Sequence, residues 1–565
     1  MIVLGINDGR HHNTSAALFR DGELVASAEE ERFSRIKMDN AYPHQAIDEV
    51  LRLANISLGD VDAVALANLP RNEQTPYSDV FFKQVYKLSK TDKNLRKYFW
   101  KHQFDRFTRR FRGREKAQND VLAQKPTYTV EHHLAHAASA YYLSPFKNEK
   151  VGVITLDGAG DFSWGSVWVG EQGKLTKVAH FPHIYSIGLI YSAITVYLGF
   201  KATRHEGKVL GLAAFGNPEP LLTRLLEHTN VDNWNELFTS KLANVTLGFN
   251  NPTGQAVIAE LCAGLCKEDI AAGVQSFTEL LICNWVKQQA KELNVDSLAL
   301  AGGVFANVKL NQRILDLPEV SNIYIHPNMG DGGLASGAAC EVYSQLNNGL
   351  APVFKQQVYL GTEITKESAL DALNLAGLSY SEPNDLAKQV AKLLADGKVV
   401  ARADGKMEYG PRSLGNRSVM ASCSDPKINQ WLNKQFARTE FMPFAPVIMQ
   451  SHAKRFFPDW NDSHIAARFM TITYNASELA KQQIPAAVHV DNTARPQVLR
   501  QEDSPGYYDV LFEYEKLTGI PSVINTSFNM HEEPIVRTAG EAIIAFQQAN
   551  LDALILGPYL VLKTS

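Results

Sequence analysis

No stretch of this 565-residue chain approaches the run of about 18 apolar residues that a membrane-spanning helix needs, so no membrane span is expected. The first residues, MIVLGINDGRHHNTSAAL, have neither a basic leader nor a long apolar segment and read as a first β-strand, not a secretory signal. Cysteine is scarce: five residues, odd in number and scattered, argue against a disulfide framework and fit a reducing, cytoplasmic setting. Cys262 and Cys266 could share a helix face, but read as buried core thiols before they read as a metal pair. Charge of either sign is also lacking in excess. The net value of −4 carries no global bias toward nucleic acid or an anionic membrane. What remains is the composition of a soluble globular protein, long enough for about two to four domains.

What is present begins with a pattern that returns. IVLGINDG is an apolar strand ending in Asp8-Gly9, and two strands follow, joined by Asp21-Gly22, a hairpin turn signal. VGVITLDGAGD repeats the strand and the Asp-Gly loop, and again two strands follow, joined at residues 171–174. A strand–acidic loop–hairpin unit thus occurs twice, which predicts an internal duplication of the kind found in two-lobed nucleotide-binding folds, with paired acidic loops facing one cleft. The segments SLALAGGVFANVKLNQRI and NIYIHPNMGDGGLASGAACEVYSQL each read as strand, glycine turn and helix. Such turns let backbone N–H groups and a helix N-terminus approach a phosphate, which nominates Asp8, Gly158, Gly302, Gly303, Asn307 and Gly330 for nucleotide binding. RHEGKVLGLAAFG adds Glu206 for a ribose and Lys208 for a phosphate, with a surface salt bridge as the plain alternative.

A linker rich in Asn, Gly and Pro, SQLNNGLAPVFKQQ, sets a boundary near residue 350, so the expected domains are 1–350 and 351–565, the second also α/β. One segment is locally basic: residues 87–116, inside an insertion near 75–125, combine many Lys and Arg with aromatics. It reads either as a solvated helical insertion or as a docking surface for an anionic acceptor such as a phosphorylated or lipid-linked sugar.

The chemistry centres on VEHHLAHAASAYYLSPF, where His132 and His136 stand four apart and so on one helix face. A bare HxxxH is a weak signal. Asp157 and Asp331, each in a loop that the duplicated fold would turn toward the cleft, sharpen it into a two-His, two-Asp set suited to iron(II), zinc or manganese. His133 points about 100° away and is assigned to packing or to supporting a ligand. His12, after the first acidic loop, is a candidate base. Downstream, GPRSLGNRS, HVDNTARPQ and INTSFN bring Arg412, Arg417, Arg495, Asn525, Thr526 and Ser527, donors that suit a small doubly charged acid such as a phosphate ester.

Taken in order, EHHLAHAASAYYLSPF, TLDGAGD, RHEGKVLGLAAFG, AGGVFANVKLNQRI, GPRSLGNRS, FMPFAP, HVDNTARPQ and NTSFNMHEEPIV resemble the NodU/CmcH/TobZ-type O-carbamoyltransferases over essentially the whole chain. The resemblance implies an α/β protein with an N-terminal duplicated ASKHA (ribonuclease H-like) domain of TsaD type and a C-terminal YrdC-like domain. It implies that carbamoyl phosphate and ATP, with Mg(II), form carbamoyl adenylate in the second domain. The first domain then passes the carbamoyl group to an acceptor hydroxyl with the help of a metal, Fe(II) in the type case. His132, His136, Asp157 and Asp331 fall on the metal positions, His12 on the histidine beside the acceptor, and Arg412, Arg495 and Ser527 on carbamoyl-phosphate contacts, with Arg438 in the same motif set. The expected acceptor is a small molecule or glycan, with no nucleic acid, and a homodimer is one arrangement left open. Two departures stand out. Phe436 occupies the place of a lysine the family often has two residues before Arg438, leaving Lys434 to reach the site or the contact absent; and Arg402 to Lys406 replace a Trp-Phe-Gln-Gly-Arg run. The rival readings are a tRNA threonylcarbamoyl-transfer enzyme of TsaD type, a sugar kinase of the ASKHA class and a non-catalytic nucleotide-binding adaptor.

Overall fold

A computed structural model describes residues 1–8, 12–70, 73–109, 124–147, 149–354 and 358–563. The protein is mixed α/β, and its chain divides into two compact units. The first comprises Met1–Gly5, Val61–Ser321 and Gly337–Pro352; the second comprises Ile6–Asp60, Asn322–Ser336 and Val353–Ser565.

The strand–loop–hairpin unit occurs twice, as the sequence repeats. Strands β1 (Ile2–Asn7), β2 (Ser15–Arg20) and β3 (Glu23–Glu29) lie in the order β3-β2-β1. The β2–β3 turn is Asp21-Gly22, with φ of 51° and 88°, the left-handed pair that a tight hairpin requires. After β4 (Ala63–Ala67) and β5 (Thr127–Val130), which pair in parallel, come β6 (Val151–Gly160), β7 (Ser163–Glu171) and β8 (Lys174–Pro182). These lie in the order β8-β7-β6, again with a positive-φ pair at the turn, Gln172 at 51° and Gly173 at 74°. β9 (Ser297–Ala301) runs parallel to β6, with Gly152 opposite Leu298 and Thr155 opposite Ala301. The longest helix of this unit among the described residues spans Lys267–Leu293 and ends on Asn294 in the left-handed conformation. Cys262 is buried as expected; Cys266 is exposed, because it stands at the N-terminal cap of that helix and not on its apolar face.

The basic segment takes in the end of the helix Thr75–Ser89 and the helix Lys93–Arg109; its remainder, residues 110–116, lies outside the described residues.

In the second unit, β10 (Val400–Ala403), β11 (Arg417–Ala421), β12 (Ala445–Met449), β13 (Gln497–Leu499), β14 (Ser522–Ser527), β15 (Ala553–Leu556) and β16 (Tyr559–Leu562) form a mixed seven-stranded sheet in the order β13-β12-β14-β11-β10-β15-β16. Helices Leu386–Ala395 and Pro505–Thr518 cover it, burying Val390, Leu394, Tyr507, Leu511 and Tyr514 against Val400, Met420, Val447 and Val523. The described chain closes with the helix Ala539–Gln548 and the antiparallel pair β15 and β16. Gly557, at φ 57°, turns the apolar run back on itself.

Candidate active site

Glu131 opens the histidine helix. Its carboxylate accepts the N–H groups of His133 and Leu134, capping His132–Tyr142 and placing His132 and His136 one turn apart. Both imidazoles are fully buried. Asp157, on the β6 strand, meets them: its Oδ2 lies 3.5 Å from His132 Nε2 and 3.2 Å from His136 Nε2, while its Oδ1 accepts Gly158 N–H at 2.7 Å. Burial opposes ionisation of Asp157, but the hydrogen bonds and charges of the two histidines outweigh it and hold the carboxyl well below its ordinary value. Glycine is required beside them. A Cβ on Gly160 would lie 2.1 Å from His132 Cδ2, and one on Gly302, at φ 103°, would lie 2.1 Å from the Leu156 carbonyl oxygen.

Two further residues orient His132. Asn68 Oδ1 lies 2.8 Å from His132 Nδ1, so that ring nitrogen carries a proton and Nε2 is the nitrogen that faces Asp157. Asp161 Oδ2 accepts the N–H groups of His132 and Leu69, each at 2.9 Å, tying the helix start to the loop that carries Asn68. His133 turns the other way, 2.9 Å from Thr155 Oγ1; burial first, and the adjacent His132 and His136 second, push its pKa well down. Two buried Nε2 atoms and one partly buried carboxylate oxygen, all turned to one point, fit a divalent metal of borderline hardness. Asp331 belongs to the other unit, so the first unit alone supplies three of the four expected ligands.

The remaining expected nucleotide-binding residues of the first unit fall into local roles. Glu206 Oε1 accepts Ser192 Oγ–H and Thr203 N–H at 2.8 and 2.7 Å; Lys208 is buried; Gly303 faces Asp157, whose Oδ1 is 3.0 Å from where its Cβ would be. Asn307 caps the helix Val308–Leu315 through Leu310 N–H and exchanges hydrogen bonds with Gln275, so its amide is already committed.

In the second unit, Asp8 follows β1, and Gly330 precedes the short helical turn Asp331–Gly333. Asp331 is buried, and its Oδ2 lies 3.7 Å from Nδ1 of His12, which is a third exposed. The arginines divide into two kinds. Arg417 is fully buried, and its guanidinium donates to the carbonyls of Thr362, Asp404, Gly405, Asn416 and Arg537. With its donors spent on backbone it has none for a phosphate, which corrects the expectation that it binds one. Arg412 and Arg495 are the opposite: half-buried, each with a buried Nε that meets no hydrogen-bond partner among the described residues. Burial lowers Arg412 to about 10; burial, then the charge of Arg412, holds Arg495 well below its ordinary value. Arg438 reaches the end of β14, donating to Thr526 Oγ1 at 2.9 Å, to the Ser527 carbonyl at 2.9 Å and to Asn529 Oδ1 at 3.0 Å. Its guanidinium stacks on Phe436, 4.8 Å from the ring centroid, while Lys434 is exposed. Asn525 spends both amide hydrogens on the Ser413 carbonyl and Gln497 Oε1.

The sequence of residues 2–340 matches the model for the carbamoyltransferase N-terminus, and residues 391–563 match that for the carbamoyltransferase C-terminus. The nodulation protein NolNO of Sinorhizobium fredii is 30% identical over 98% of this chain and 79% of its own length. The uncharacterised protein sll1178 of Synechocystis is 32% identical over all of this chain and 97% of its own. The chain belongs to the carbamoyltransferase family. It is therefore an enzyme of the NodU/CmcH kind. The crystal structure of T. kodakarensis HypF is a distant likeness, 15% identical, covering 61% of this chain and 48% of that one at a TM-score of 0.33.

Several residues of this carbamoyltransferase escaped the sequence reading. Asn68 carries no local signal; only the fold brings it to His132. Asp161 stood in the quoted TLDGAGD, and Glu408 in MEYGPR, without a role. Glu408 Oε1 accepts the N–H groups of Leu414, Asn416 and Arg417, shaping the loop that presents Arg412. Arg402, in the departing run, braces the same loop through the Gly415 carbonyl and Asn416 Oδ1. Lys37 is pulled down by burial and, among nearby cations, by Arg32 and Arg438.

Proposed function

We propose that this carbamoyltransferase is ATP-dependent and works through carbamoyl adenylate, with the duplicated ASKHA-type domain and the YrdC-like domain dividing the labour. The observation that carries the first half is the pair Arg412 and Arg495, two half-buried guanidinium groups whose Nε atoms meet no hydrogen-bond partner among the described residues, with Glu440 as a nearby anion. Glu440 offsets part of the charge of this pair, and a bound dianion would offset the burial and the remaining repulsion. Carbamoyl phosphate is the fitting dianion, with Arg438, Thr526 and Ser527 beside it and Lys37 as the cation in place of the family lysine that Phe436 replaces. Water cleaves carbamoyl phosphate to phosphate and carbamate. A carbamate oxygen attacks the α-phosphorus of ATP, and pyrophosphate leaves.

Transfer belongs to the histidine cluster. The acceptor oxygen attacks the carbamoyl carbon, AMP departs with its bonding pair, and His12 takes the acceptor proton, a step worth about 10²- to 10⁴-fold. We assign a divalent metal to His132, His136, Asp157 and Asp331; when bound it supplies Lewis acidity to the carbonyl or the leaving phosphate. Asp331 Oδ2 lies 3.7 Å from His12 Nδ1, too far for a hydrogen bond but close enough to favour the imidazolium that forms. The acceptor we favour is a sugar hydroxyl.

The test is pyrophosphate release from ATP that depends on carbamoyl phosphate. A tRNA-modifying enzyme would release none in this way, a sugar kinase would release ADP, and an adaptor would release nothing. Absence of such release from metal-loaded protein overturns the proposal. Replacing His136 by Ala should abolish transfer while leaving this release largely intact.

A further inference from the structure

The helix Lys93–Arg109 is amphipathic with its aromatic residues on both sides. Between residues 93 and 104 it carries four cations and no acid. At about 100° per residue, Lys93, Lys97, Trp100, Lys101 and Phe104 fall within an arc of about 100°. All five are exposed, Trp100 to 63% and Phe104 to 67%. The opposite face holds Leu95, which is fully buried, together with Tyr98, Phe99 and His102. Phe99 continues the aromatic surface, with its ring 5.3 Å from that of Tyr86, itself 49% exposed on the preceding helix. None of the three lysines makes an ion pair with a described residue, whereas Lys87 on the preceding helix is paired with Glu236.

A packed interior requires the inward face; it does not require the outward one. Burying Trp and Phe against protein would call for an apolar partner, and three lysines with no ion pair among the described residues, interleaved with them, would call for acids. One environment supplies both at this spacing: the headgroup layer of an anionic bilayer, where rings enter the acyl boundary and lysine stems reach up to phosphates. We propose that this face, Lys93, Lys97, Trp100, Lys101 and Phe104, is a peripheral docking surface for an anionic lipid membrane. It is independent of the carbamoyl chemistry, and would bring the enzyme to acceptors carried at a bilayer.

The experiment is co-sedimentation of the full chain with vesicles of phosphatidylcholine containing phosphatidylglycerol, against phosphatidylcholine alone, at low and high salt. Binding is expected only to the anionic vesicles, and it should fall steeply with salt. Each lysine charge near such a surface is worth about fivefold in affinity, so Lys93→Gln, Lys97→Gln and Lys101→Gln together should cost about 100-fold. Trp100→Ser with Phe104→Ser should cost at least about tenfold. Both sets are solvent-facing, so the melting temperature and any carbamoyl-phosphate-dependent pyrophosphate release should not move. No vesicle binding, binding indifferent to lipid charge, or binding that survives both variant sets overturns the proposal. So does a variant-sensitive shift of single-stranded RNA without vesicle binding, which would make the face a base-stacking surface.

Discussion

Asn68 is the most informative residue to perturb, because it touches no expected substrate and yet sets which nitrogen of His132 faces the cluster. Asn68 is 1% exposed and His132 is fully buried. Replacing Asn68 by Ala leaves the Nδ1 proton of His132 without that acceptor, at about 1–3 kcal/mol for a buried orphan. Asn68 also has φ 78°, which asparagine tolerates and alanine does not, adding about 1–2 kcal/mol. The variant should therefore lose about 2–5 kcal/mol of stability in the metal-free state. Freed of its partner, the imidazole can also adopt the other tautomer, so metal affinity should fall about 10- to 100-fold. Asn68→Asp separates the two effects. It keeps the acceptor and much of the tolerance for positive φ, and a carboxylate makes the imidazole a better donor to a metal. Its affinity should equal or exceed that of the wild type. The assay is titration of metal-free protein with cobalt(II), read by its visible absorption bands, alongside thermal melts. Equal cobalt affinity in Asn68→Ala and wild type would refute the orienting role, whatever happens to stability.

Other substitutions probe the same logic. Gly160→Ala puts a methyl 2.1 Å from the His132 ring and should both lower the melting temperature, by an overpacking cost of about 1–3 kcal/mol, and weaken cobalt binding. Arg417→Met should destabilise by at least about 3 kcal/mol in a urea melt, since it orphans several buried carbonyls. Arg495→Gln should leave the melt nearly unchanged and raise the KM for carbamoyl phosphate by about 10- to 150-fold, as expected for a charged hydrogen bond. Asp157 has its folded pKa held below the unfolded one, so in metal-free protein its stabilising contribution is complete above about pH 4 and is lost as pH falls through the folded value. The stability gap between wild type and Asp157→Asn, measured by urea midpoints, should accordingly shrink on acidification below about pH 4.

The arginines show where reading the sequence succeeds and where it stops. Arg412 and Arg417 stand five residues apart in one glycine-rich motif, with the same side chain and turn-like surroundings. Nothing local tells them apart. Arg417 opens strand β11, whose pairing with β14 carries it inside, where carbonyls from Thr362 to Arg537 close around it. Arg412 stays on the loop that Glu408 holds through three N–H groups, and keeps its guanidinium open. The difference is made by contacts between residues up to 120 positions apart, which periodicity and spacing do not encode. By contrast the hairpins and the shared face of His132 and His136 were legible because their signals are local: a turn pair and an i,i+4 spacing. His132 and His136 belong to that legible class, and Asn68 does not. A motif thus specifies which side chains share a helix face, while the long-range packing decides whether a donor is consumed by the protein or left for a ligand. That is why a variant at Arg417 should read out as stability and one at Arg495 as substrate affinity.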